Sequence, residues 1–194
     1  MGDFVKYEIR DGLAIVTLGA EGEKVNILNS DFLRDLEETA AGLEGEKDLT
    51  GAVVISCKKG GFIAGADVGE IRNITDPQAG TEQARRGQQI LHRWSKLPFP
   101  VVAAIHGHCM GGGTEFAVAC GFRVVAEDAE ISLPEVKLGI FPGFGGTQRL
   151  PRLISVIKAL DIILKGRRVG AAEAVEIGLA DRMTSTPEVT IRPP

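Results

Sequence analysis

The sequence predicts an α/β fold, and three observations carry that reading. Strand-patterned and helix-patterned segments alternate along the chain. Two short, β-branched apolar runs, 52–56 and 101–105, have the character of strands buried on both faces. Glycine is abundant, at 25 of 194 residues, without the three-residue period of collagen. The length suits one large domain better than two small ones. With 44% hydrophobic and 25% charged residues, most of the chain has enough apolar material for a core, which excludes general disorder.

Taken in order, 4–9 and 13–18 alternate in polarity around Asp11-Gly12, a strong hairpin signal. Ser30 reads as an N-cap and Asp31 suits a helix start; Phe32, Leu33, Leu36 and Leu43 then recur at helical spacing. The strand at 52–56 precedes a Gly- and Lys-rich loop from Cys57 to Asp67. Thr81 to Leu97 is predicted as a helix ended by Pro98 and Pro100. The strand at 101–105 leads into a turn from Gly107 to Gly113 and a small-residue helix from Thr114 to Cys120. Short strands are predicted at 124–126 and 130–133, one apolar helix from Ile154 to Leu164, and a last helix from Ala171 to Ile177 closed by Gly178. The core is expected over 1–183. The proline-containing tail 184–194 is expected to be disordered.

The net charge of −4 and the lack of a basic stripe argue against nucleic acid. No apolar run reaches the length of a membrane span, and the N-terminus lacks a signal-like apolar region. Cys57, Cys109 and Cys120 form no CxxC pair, so a reducing, cytoplasmic setting is expected. Asn73-Ile74-Thr75 fits a glycosylation sequon and is read as chance without a secretory signal.

Three segments carry candidate chemistry. Ile63-Ala64-Gly65-Ala66-Asp67 follows a strand, and its small residues allow a ligand close to the backbone; a surface loop is the plain alternative. His106 to Glu115, containing Met110-Gly111-Gly112-Gly113-Thr114-Glu115, joins a strand to a helix start with unpaired N–H groups; close packing alone is the alternative. It is neither GxGxxG nor a P-loop, and His106, His108 and Cys109 lie too close together for a usual zinc cage, so no metal is assigned. In Leu133 to Arg149, Glu135 is a carboxylate within an apolar stretch. It suits a general acid/base of raised pKa, or else a salt bridge to Lys137 or Arg149. Gly143, Gly145 and Gly146 would let backbone N–H groups approach a water or substrate.

Together, the AGAD loop, MGGGTE and PEVKLGIFPGFGGTQRLPRL resemble the enoyl-CoA hydratase (crotonase) superfamily, from about Phe4 to Met183. The variants FIAGAD, KVN and LPEVKLGIFPGFGGTQRLPRLI are most similar to the hydratase part of the multifunctional fatty-acid oxidation α subunit. The resemblance implies a crotonase-like spiral of ββα units, assembled as trimers or pairs of trimers, without the C-terminal helices usual in the family. It implies an acyl-CoA thioester as substrate and no further cofactor. Glu115 and Glu135 match the two catalytic glutamates, and the N–H groups of Ala66 and Gly112 match the oxyanion hole. Gly143 would hold the attacking water. Lys24, Val25 and Ile27 match the adenine-contacting stretch; Ala64, Asp67, Val68, Met110, Gly111, Pro134 and Leu138 complete the implied substrate-binding set. Where the family often has a basic residue two positions after this aspartate, Gly69 stands. The activity implied is reversible hydration of a trans-2-enoyl-CoA. A Δ3,Δ2-enoyl-CoA isomerase and a non-catalytic acyl-CoA-binding module are the alternatives.

Overall fold

A computed structural model describes residues 2–185. Strands β1 (Val5–Arg10) and β2 (Leu13–Leu18) form the expected antiparallel hairpin. Asp11 and Gly12 both take positive φ, 49° and 77°, as a two-residue hairpin turn of matching twist requires. Helix α1 (Ser30–Gly45) follows, capped by the Asn29 side chain, which accepts from the Phe32 N–H. The cap is thus one residue earlier than the sequence suggested, with Ser30 already helical. An Asx side chain caps at least as well as a serine.

From β3 (Gly51–Ser56) onward the chain repeats one manoeuvre. A strand joins a large sheet, and a short second strand then joins a small one. The pairs are β3 with β4 (Gly61–Ile63), β5 (Val101–Ile105) with β6 (His108–Met110), and β7 (Phe122–Ala126) with β8 (Glu130–Ser132). Helices α2 (Val68–Arg72) and α3 (Pro77–Trp94) follow the first pair, and α4 (Gly112–Ala117) follows the second. A 3₁₀ turn at Pro134–Leu138, then α5 (Gly146–Leu153) and α6 (Val156–Lys165), follow the third. The chain continues through β9 (Arg168–Gly170), α7 (Ala171–Glu176) and β10 (Arg182–Thr184). The large sheet runs β1-β2-β3-β5-β7-β10 and is parallel except for the hairpin; the small sheet runs β4-β6-β8-β9. This is the spiral of ββα units that the family resemblance implied. No repeat is visible in the sequence, because each turn keeps the manoeuvre and not the residues.

Several expectations need correction. The stretches 57–67 and 107–113 are not loops throughout, since they contain β4 and β6; three-residue strands offer too little alternation to be read from sequence. Helix α3 begins at Pro77, four residues before Thr81. The Asp76 side chain caps it by accepting from the Ala79 N–H, and proline occupies the first turn, where its missing N–H costs nothing. It ends at Trp94 rather than Leu97. The helix expected from Ile154 is preceded by α5, with Pro151 inside it; Ile154 is extended, and Ser155 caps α6. Thr184 belongs to β10, paired in parallel with β7, so the core reaches past 183. The rest of the expected disordered tail, from 186, lies outside the described residues.

The core between α1, α3 and the large sheet is aromatic. Trp94 donates its indole N–H to the Leu36 carbonyl at 3.0 Å and meets Phe116 edge-on at 5.1 Å between centroids. That contact fixes α4, the helix that carries Glu115, against α3.

Candidate active site

The site is built where the connections after β4, β6 and β8 meet. The first, Ala64–Asp67, lies alongside 26–28: Ala64 donates to Asn26, Leu28 to Gly65, and Asp67 to Leu28. Buried Asn26 anchors this side, donating to the Ser56 hydroxyl and the Phe62 carbonyl. In the parallel bridge of Leu28 with Ala66, the bonds toward Leu28 come from Gly65 and Asp67. Ala66's own N–H and carbonyl therefore face the opposite side. Its N–H has no protein acceptor among the described residues.

The second connection packs directly on the first. Gly111, at φ 53°, donates to the Ser132 carbonyl, and a methyl carbon at Gly111 would lie 3.8 Å from the Gly65 Cα and 3.1 Å from Glu135 Oε1. Only glycine combines that φ with that proximity. Gly112 opens α4, where an N–H lacks an intrahelical acceptor, and none is supplied from elsewhere among the described residues. Gly113 packs against Ile63, where a methyl carbon would fall under 3.0 Å from that residue's Cβ and carbonyl oxygen. The glycine run thus lets α4 start hard against β4.

Glu115 projects from α4 and is 2% exposed. Its Oε1 accepts from the N–H groups of Phe144 (2.8 Å) and Gly146 (2.7 Å). Burial pushes its pKa up to about 7, aided by the nearby Glu135; the two N–H donors and Arg149 pull the other way. Glu135 lies in the 3₁₀ turn, is buried, and also has its pKa raised, chiefly by desolvation. Its Oε2 is buried and has no hydrogen-bond partner among the described residues. Neither Lys137 nor Arg149 pairs with it, so the salt-bridge alternative is not observed: Arg149 instead donates to the Phe144 carbonyl at 2.8 Å. Both carboxylates border one cleft of ≈ 240 Å³.

Ala64, Ala66, Asp67, Val68, Gly111, Gly112, Glu115, Pro134, Glu135, Leu138 and Gly143 all line this cleft. Lys24, Val25, Ile27 and Met110 do not. The Lys24–Ile27 stretch runs beside the Ala64 loop, with Val25 and Ile27 exposed on the outer surface. Met110 lies in β6, behind the Gly111 turn. Two of the cleft residues also have protein partners. The Asp67 carboxylate caps α2, accepting from the N–H groups of Gly69 and Glu70. The N–H groups of the 143–146 turn that bond a carboxylate are those of Phe144 and Gly146, while Gly143 offers its carbonyl to Gln88 at 2.8 Å.

Sequence reasoning missed the apolar wall from α2, α3 and the 140–144 segment, including Ile71, Ile74, Ala84, Phe141 and Phe144. Phe141 and Phe144 sat within a segment already singled out, yet nothing in their spacing said which would face inward. His106 contacts the Lys58 carbonyl through Nε2, and His108 stands beside Glu130 on the small sheet. Among the described residues no group of three or more His, Cys, Asp or Glu side chains is placed to hold a metal ion.

Two buried carboxylates border one cleft beside two N–H groups that have no protein acceptor among the described residues, and the ββα spiral that carries them is the crotonase-type fold. The family profile for enoyl-CoA hydratase/isomerase matches residues 8–192, and the chain belongs to that family. Among solved structures it is similar to an enoyl-CoA hydratase from Geobacillus kaustophilus, with 32% identity and a TM-score of 0.92 over 98% of this chain and 72% of that one. It is also similar to the enoyl-CoA hydratase of Thermoplasma volcanium, at 31% identity and TM-score 0.90, covering 97% and 75%. The Bacillus anthracis enoyl-CoA hydratase matches at 33% and 0.85, covering 93% and 69%. No helix among the described residues is long and apolar enough to cross a membrane.

Proposed function

We propose that the chain is an enoyl-CoA hydratase, adding water reversibly across a trans-2-enoyl-CoA to give the 3-hydroxyacyl-CoA, as a cytoplasmic step of fatty-acid β-oxidation. The observation that carries this reading is the pair Glu115 and Glu135, both buried, both raised in pKa and both facing one apolar cleft. Hydration takes a proton from water and delivers one to the α-carbon, work that two carboxylates facing one cleft can share.

The thioester oxygen gathers negative charge as an enolate while the hydroxyl adds to the β-carbon. The N–H groups of Ala66 and Gly112, which have no protein acceptor among the described residues, are the donors for that oxygen; one such donor is worth roughly 10²–10³ in rate. Glu115, fixed by the Phe144 and Gly146 N–H groups, orients and helps activate the water, with the Gly143 N–H as a further contact. Glu135, with its unpartnered Oε2, is the principal acid/base. Each carboxylate contributes on the order of 10²–10⁴.

The test is loss of enoyl-thioester absorbance from crotonyl-CoA. Glu115→Gln and Glu135→Gln should each lower turnover by about 10²-fold or more, with little change in acyl-CoA affinity. The double variant should be little worse than either single one, since both groups act on one water. The unpartnered oxygen of Glu135 also suits a base that moves a proton between two carbons without water, which is the isomerase reading. Wild-type hydration by Glu115→Gln alongside intact isomerisation would favour that alternative. Acyl-CoA binding without turnover of either kind would leave a binding module.

A further inference from the structure

Helix α3 contains Gly87 in its interior, as its eleventh residue. An interior helical glycine costs about 1 kcal/mol relative to alanine, so its presence calls for a packing reason. The reason is the ring of Phe144. A methyl carbon at Gly87 would meet three ring atoms of Phe144 at under 3.0 Å. The ring therefore occupies the space that any side chain at 87 would take. On its other side the same ring lies 3.5 Å from where a methyl carbon at Gly112 would be. Phe144 is 9% exposed and borders the cleft. Its backbone N–H bonds Glu115, so its position along the cleft is fixed next to the reacting end.

We infer that Phe144, seated on Gly87, sets the acyl-chain length that this cleft accepts. The inference rests on the proposal that a thioester carbonyl sits at the Gly112 N–H. An acyl chain extending past its reacting carbons then runs along the wall formed by this ring. The ring is held from behind by a helix backbone and from the side by α4, so it cannot withdraw to admit a longer chain. Glycine at 87 allows the ring to sit as deep as it does; a larger residue there would drive it into the cleft. Phe144 is a specificity-determining residue and Gly87 acts through it.

The experiment compares binding of butanoyl-, octanoyl- and dodecanoyl-CoA by calorimetry, together with hydration of the matching enoyl-CoAs. Phe144→Ala keeps the N–H that holds Glu115 and removes the ring. It should shift the affinity ratio toward dodecanoyl-CoA over butanoyl-CoA by roughly tenfold or more, since each methylene that gains apolar contact is worth about fourfold. Gly87→Ala should shift the ratio the other way, and adding Phe144→Ala to Gly87→Ala should abolish that second shift. A merely structural role would lower affinity for all lengths alike. If Phe144→Ala does not fold, Gly87→Ala and Phe144→Leu carry the same comparison. An unchanged ratio in folded variants overturns the inference. Graded binding that responds to these variants, without hydration by the wild type, keeps the gauge and removes the hydratase reading. Absence of acyl-CoA binding removes both.

Discussion

Glu115 links stability to pH in a direction opposite to that of most surface carboxylates. Its folded pKa of about 7 lies above the ordinary 4.5, so the native state holds a proton that the unfolded chain releases over that interval. The stabilisation is fully present below pH 4.5 and is lost as pH rises through 7. The displacement corresponds to about 3 kcal/mol. Glutamine keeps the oxygen that accepts from Phe144 and Gly146 but does not ionise. Urea unfolding at pH 5 and pH 8 should therefore show Glu115→Gln gaining on the wild type at the higher pH. Equal differences at both pH values would mean that Glu115 titrates normally. At this scale the sequence was informative about Glu115 and Glu135, because a carboxylate within apolar or glycine-rich surroundings is conspicuous. It was silent on what holds Glu115, since the donors are backbone groups of Phe144 and Gly146, some thirty residues away, and backbone groups leave no mark in composition. Asp67 shows a related limit: its capping of α2 could not be read from the sequence, because a carboxylate beside a ligand loop and an N-cap carboxylate look alike until the helix after it is known to exist.

At the scale of elements, the cleft depends on how two short helices begin. Gly112 is the first residue of α4, a position where proline is sterically welcome and its missing N–H breaks no helical bond. Gly112→Pro should thus fold, with Leu28 Cδ1 shifting to accommodate the added carbon, and should lose catalysis through the absent donor. A folded Gly112→Pro variant, checked by circular dichroism and melting, that still hydrated crotonyl-CoA would disprove this placement of the oxyanion hole. For α2, Asp67→Ala removes the cap and should cost about 0.5–2 kcal/mol locally. Because Val68 and Ile71 of that helix wall the cleft, KM for the enoyl-CoA should rise more than kcat falls. An unchanged KM would show that α2 is held by packing alone. The long elements were legible: the Asp11-Gly12 hairpin and α1 through turn residues and period, β3 and β5 through short β-branched apolar runs. The three-residue strands β4 and β6 were not. Their pairing comes from the neighbouring strands rather than from their own patterns, which is also why the repeating ββα plan is invisible in the residues.

Across the whole molecule, the apolar run of α6 divides into two faces. Ala159, Ile162 and Ile163 are buried, whereas Val156, Ile157, Leu160 and Leu164 face outward, Ile157 being 81% exposed. Phe141, beside the cleft, is 74% exposed. Four outward-facing branched side chains on one ten-residue helix exceed the scattered apolar exposure normal for a surface, and such a face marks association or a tendency to aggregate. The expected outcome is a self-associated species, a trimer by resemblance, detectable by light scattering or sedimentation at micromolar concentration. Ile157→Asp places a charge at the most exposed point of the face. An unpaired charge there would have to be desolvated on association, so the variant should dissociate toward monomer, while its melting temperature as a dilute monomer should change little because the side chain touches no core. A wild-type protein that sediments as a monomer at every concentration would show that this face is left open in solution. Association unaffected by Ile157→Asp would place the contact on another surface.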